Sequence, residues 1–218
     1  MLEKVTIPIS LFEYSVDFRR PVVALWMDRA KPVQEIFDAL SRWSLDINDI
    51  EPITQGKPSD QGIRIRLTKK RCTIFFGPAS FKFTKDDADW ASAEETINIL
   101  KTALDTVVHV SGAELIEHKT AFAFHMQPLS KTFLEILRPV LSSALESLLD
   151  SKMTTGASIV KWRDGRIVLD GSGSLANGIY VRFEQNFKIE TDFGEIAKQL
   201  RSAEDAIFRL LNVEEGSE

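Results

Sequence analysis

Chemistry in this chain depends on whether a fold can assemble a site from three histidines, one cysteine and scattered carboxylates. Glu114 and His118 lie four residues apart in a segment of strand-like alternation, so both project from one face. There they can serve as an imidazole base and the carboxylate that orients it, which makes them the candidate catalytic pair. His125 stands an odd number of residues from His118 and points to the other face, so the two cannot share a metal ion unless a bulge intervenes. His109 ends a helical stretch, where an imidazolium suits the carbonyl-rich terminus. Cys72 alternates with Ile74 and Phe76 and reads as a small buried hydrophobe. A single cysteine excludes an intramolecular disulfide and any multi-cysteine zinc site.

Loop 171–174, Gly-Ser-Gly-Ser, can offer backbone amides to an anion. It lacks the Gly-Lys-Ser/Thr ending of a nucleotide-binding loop and follows a strand without opening a helix, so it reads as a hinge or hairpin loop. Asp86, Asp87 and Asp89 precede a helix, where its dipole favours carboxylates without a metal. Asp46, Asp49 and Glu51 read as a solvated loop. No cofactor motif or metal set emerges.

A broader constellation is cationic and aromatic. Arg64, Arg66, Lys82, Arg166, Arg182 and Lys188 each alternate with inward apolar residues, and Phe75, Trp162 and Tyr180 fall on or beside the same face. Cations mixed with aromatics on an open sheet form a platform for bases, phosphates or an acidic peptide. The competing reading is a solvated face whose charges deter aggregation, diluted by Asp170, Glu184 and Glu190.

The elements that must carry these residues can be read from periodicity. Segment 5–12 alternates, with Val5, Ile7, Ile9 and Leu11 on one side, and Pro8 places it at an edge or start of a sheet. Segment 22–27 is apolar on both faces and reads as a strand that is central or covered on its other side. Pro32 opens a helix that ends near Trp43, and 46–61 is irregular, either a long functional loop or a plain connection. Strands follow at 63–67, 72–76 and 81–83, then a helix with a Ser92/Glu95 capping box.

The second half begins near Gly112. It runs through a long strand to Met126, a Pro128-led helix kinked or split at Pro139, and a hairpin around Asp164-Gly165. The strand starting at Ile179 alternates most regularly, and a final helix begins after Asp192.

The two halves share an order of strand, Pro-led helix, strand hairpin, further strand and long helix. Their closest echo pairs Phe81-Lys82-Phe83-Thr84-Lys85-Asp86 with Phe187-Lys188-Ile189-Glu190-Thr191-Asp192. The expected fold is α+β: repeats over 1–110 and 111–213 that form one structural body, and an acidic disordered tail over 214–218. The helices, apolar on one face, pack on one side of a curved antiparallel sheet. This order resembles the topology of the TATA-binding-protein-like fold, a resemblance of shape that brings no residues and no function with it.

The 218 residues, 44% hydrophobic and 27% charged, suffice for a real core. A net charge of -5 disfavours generic binding to nucleic acid or an anionic membrane. Cysteine usage and the lack of a leader or bilayer-length apolar run make a cytoplasmic protein the expectation. The leading expectation is a non-enzymatic binding or assembly module with a protein partner or a second copy of itself. The alternatives are a small-molecule enzyme using Glu114 and His118, and single-stranded nucleic-acid binding on the cationic face.

Overall fold

The computed structural model describes residues 2–27, 29–140, 158–162 and 165–216. Its elements run β1 (Glu3–Phe18), α1 (Ala24–Met27), α2 (Ala30–Leu40), β2 (Ile50–Ile53), β3 (Gly62–Leu67), β4 (Cys72–Phe76), β5 (Ser80–Asp86) and α3 (Ala93–Ser111). They continue through β6 (Leu115–Pro128), α4 (Phe133–Leu137), β7 (Ser158–Trp162), β8 (Gly165–Gly171), β9 (Ile179–Lys188), α5 (Phe193–Leu211) and β10 (Val213–Glu215). The strands hydrogen-bond in the order β2-β3-β4-β5-β1-β6-β9-β8-β7, with β10 beside β1. Pairs β2–β3, β3–β4, β4–β5, β7–β8 and β8–β9 are antiparallel, whereas β10 runs parallel to β1. The architecture is therefore the expected α+β class. Outward from β1 come β5, β4, β3 and β2, and outward from β6 come β9, β8 and β7, an order compatible with a repeat.

Contacts group the chain into two units, one of residues 1–11, 121–185 and 194–218, the other of 12–120 and 186–193. In the second unit the period-two pattern of β3, β4 and β5 buries Ile63, Ile65, Leu67, Cys72, Ile74, Phe76, Phe81 and Phe83. Their registers align Ile65 with Ile74 and Ile74 with Phe83, so one face is continuous across the three strands. The same core takes in Ile36 and Leu40 of α2 and Ile99, Leu100, Ala103, Leu104 and Val107 of α3. In the first unit β9 buries Ile179, Val181, Phe183 and Gln185, and Phe124 meets Phe208 of α5 at 6.1 Å between ring centroids. In each unit, then, a helix covers the apolar face and leaves the alternate side chains outside it.

Several local expectations are corrected. Segment 22–27 is no strand: Val22 donates its amide to Pro78, and Ala24–Met27 coil into α1. Leu25 is buried while Val23 and Met27 are exposed, so the doubly apolar run covers only one side. A short apolar run has no period that separates helix from strand, and Ala-Leu-Trp-Met favours the helix. Residues 46–61 are partly regular, because Asp46 and Asp49 form a capping box on a short 3-10 turn and β2 pairs with β3.

Ser92 makes no side-chain cap; its amide instead donates to Asp89 Oδ1 at 2.6 Å. Pro128 ends β6, and the next helix is opened by a Thr132/Glu135 capping box. The chain tightens to a 3-10 turn at Arg138–Val140, around Pro139 as expected; the continuation of that helix through Leu141, Leu145 and Leu148 lies outside the described residues. Glu214 and Glu215, expected in a disordered tail, pair with Lys4 and Val5, because an unpaired stretch of β1 backbone can take a strand whose acidic side chains stay exposed.

Candidate functional site

The outer face of β3–β5 is built by register. Glu51 stands opposite Arg64, Arg64 opposite Phe75, and Phe75 opposite Lys82, forming one row across four strands. Arg66, Thr73 and Thr84 make the next row. Phe75 lies over two glycines: a Cβ at Gly62 would come within 2.9 Å of its ring and one at Gly77 within 3.3 Å. Removing those two side chains lets the ring lie down on the backbone, half-buried, with Lys82 Nζ at 6.0 Å from its centroid.

The cations here are partly neutralised. Glu51 Oε2 accepts Arg64 at 3.2 Å and Arg66 at 2.9 Å. The acid expected in a solvated loop is thus the counter-charge of the predicted patch, a role visible only once β2 is recognised as a strand.

The rest of the predicted patch, Lys188 apart, belongs to the first unit and repeats the device. Arg166 and Arg182 donate to the two carboxylate oxygens of Glu184 at 2.6 and 2.8 Å, and these hydrogen bonds hold that carboxyl below its ordinary value. Tyr180 sits opposite Asp170 in the register and packs against His125 at 5.0 Å between rings. Lys188 is exposed at the end of β9. Trp162 is opposite Gly165 in the register, and its side chain lies outside the described residues.

Glu114 and His118 are engaged separately. Glu114 pairs with Arg19 at 3.5 Å. His118 is buried among Tyr14, at 5.7 Å between rings, and Phe193, at 5.4 Å. Its Nε2 lies 3.0 Å from the Ile189 carbonyl and must donate, which leaves Nδ1 to accept the Tyr14 hydroxyl at 2.7 Å. Burial drives the His118 pKa below its ordinary value and the Tyr14 pKa above its own. Both therefore stay neutral near pH 7, and neither imidazole nitrogen is left to face Glu114.

Cys72 is likewise buried, and burial pushes its thiol up to about 12, which suits its expected structural role. His125, which sequence reasoning set aside after ruling out a shared metal, has its Nδ1 at 2.8 Å from Ser172 Oγ. No group of three or more potential metal ligands occurs among the described residues. No described helix is long and apolar enough to cross a membrane.

No protein-family model matches the chain, and no curated protein matches it. Among solved structures, the regulatory subunit of aspartate kinase from Thermus flavus aligns over 96% of this chain and 97% of that one, at 15% identity and a TM-score of 0.24. A conserved hypothetical protein from Pyrococcus furiosus aligns over 93% and 92%, at 9% identity and a TM-score of 0.18. At such scores neither likeness carries an argument.

Proposed function

We propose that this protein is a non-enzymatic binding or assembly module that holds a protein partner, a second copy of itself included, on the outer face of β3–β5. The observation that carries this reading is the row Arg64–Phe75–Lys82, an aromatic ring seated on glycine backbone between two cations. Its chemistry suits an acidic, partly apolar polypeptide segment, which can cover the ring while its carboxylates meet Lys82 and the arginines. A nucleic acid is the weaker fit, because its phosphates would compete with Glu51 for both arginines in a chain of net charge -5.

Sedimentation equilibrium of the full chain, with anisotropy of a labelled poly-glutamate peptide and of a mixed-sequence single-stranded oligonucleotide at low salt, tests the reading. The expected result is self-association or peptide binding that Phe75→Ala weakens at least about tenfold, as for a buried aromatic anchor. A monomer that ignores the peptide overturns it. So does oligonucleotide binding that is tighter than peptide binding and steeply salt-dependent.

A further inference from the structure

We propose that Ser172 is a nucleophilic serine, with His125 as its base and the Gly173 amide as donor to the developing oxyanion, and that it accepts an acyl group from an activated ester or thioester. This goes beyond the binding reading and rests on residues of the other unit, so either can fail alone.

The hydrogen bonds give Ser172 a defined direction. Its Oγ accepts the amides of Ser174 at 3.1 Å and Leu175 at 2.9 Å, so the hydroxyl proton points away from both. The His125 Nδ1 at 2.8 Å receives that proton, which fixes the neutral imidazole with its hydrogen on Nε2. Desolvation lowers the His125 pKa, so the ring is an unprotonated acceptor at neutral pH. The shorter hydrogen bond, from the Leu175 amide, also stabilises negative charge on Oγ as its proton leaves.

The loop is held in place before any substrate arrives. Ser172 donates its amide to Gly178 at 2.8 Å, and Gly178 donates to Leu175 at 3.1 Å. Asn177, at a left-handed φ of 57°, accepts the Phe133 amide at 2.9 Å and donates to the Lys131 carbonyl at 3.1 Å. A Cβ at Gly178 would sit 2.9 Å from the Ser172 Cβ, so this turn closes directly behind the serine. Gly173 is exposed, a Cβ there would meet nothing within 4 Å, and its amide makes no hydrogen bond among the described residues. That open amide, next in the chain to the nucleophile, can receive a carbonyl oxygen.

In the step itself, the Ser172 hydroxyl proton passes to His125 Nδ1 while Oγ gives up its longer hydrogen bond, from the Ser174 amide, and the lone pair so freed bonds to the acyl carbon. The resulting oxyanion takes the Gly173 hydrogen bond. Its collapse breaks the bond to the leaving oxygen or sulfur, to which His125 returns the proton. The products are acyl-Ser172 and an alcohol or thiol.

The probe is p-nitrophenyl acetate with the full chain, read by nitrophenol release, intact mass and peptide mapping. One acetyl group per chain on Ser172 is expected, absent in Ser172→Ala and formed about a hundredfold more slowly in His125→Gln, as for loss of a general base. Because Ser172 also anchors its loop, Ser172→Cys is the second variant, and with an unchanged melting temperature it should carry the acetyl group as a thioester. Acetylation confined to lysines or the N-terminus, or Ser172 labelling at the same rate in His125→Gln, overturns the proposal.

Discussion

His118 and His125 stand on the same strand, and their surroundings make them opposites. His118 is enclosed by aromatic rings, with Tyr14 on one nitrogen and the Ile189 carbonyl on the other. His125 is half-buried, with one nitrogen on the Ser172 hydroxyl and a tyrosine ring alongside. Burial lowers both pKa values, yet the first ring is a closed structural joint and the second keeps solvent within reach. The same shift in the same residue type therefore carries different meanings, and hydrogen-bond saturation separates them.

The sharpest way to break this comparison is to delete each ring. His118→Ala should cost about 3 kcal/mol in urea unfolding, because it opens a cavity and strands the Tyr14 hydroxyl and the Ile189 carbonyl. His125→Ala should stay within about 1 kcal/mol, as a partly exposed side chain does. Equal losses would erase the distinction.

A smaller effect is expected from Tyr14→Phe, which leaves His118 Nδ1 buried without its donor and should cost about 1 to 2 kcal/mol. The pH dependence follows from the depressed His118 pKa. As pH falls through the ordinary imidazole range, the unfolded chain takes up a proton that the folded ring resists, so stability declines toward the depressed value. His118→Gln should flatten that slope in urea titrations run from neutral to mildly acidic pH.

Glu3 extends the decline at lower pH. Its carboxylate accepts the Ser130 hydroxyl at 2.6 Å and the amides of Ser130 at 2.7 Å and Lys131 at 3.1 Å, which lower its pKa. Its contribution is present above the ordinary carboxylate value and lost as pH falls through the depressed one, so Glu3→Gln should shallow the acid limb. The smallest change belongs to Glu51→Gln. Exposed ion pairs contribute under about 1 kcal/mol, so stability should hardly move while peptide affinity rises as Arg64 and Arg66 are released.

How legible the molecule was depended on how local each signal is. The alternation of Ile179, Val181, Phe183 and Gln185 identified β9 and its buried face, and Ile63, Ile65 and Leu67 did the same for β3. The run 22–27 was ambiguous because an apolar stretch without polar breaks has no period to read. Strand β2 was hidden because four residues containing Pro52 carry almost no pattern until β3 lies beside them. The odd spacing of the two histidines was visible, but their partners were not. Tyr14 is 104 residues from His118, and Ser172 is 47 from His125.

Sequence alone determined which residues turn inward on the regular strands and helices, since side-chain period and apolar spacing are properties of the local backbone. Tertiary structure alone decided which polar groups meet: Glu51 with two arginines, Tyr14 with His118, Ser172 with His125. Those pairings rest on registers and loop closures between distant segments, and a hydrogen bond exists only where such closures bring donor and acceptor within about 3 Å.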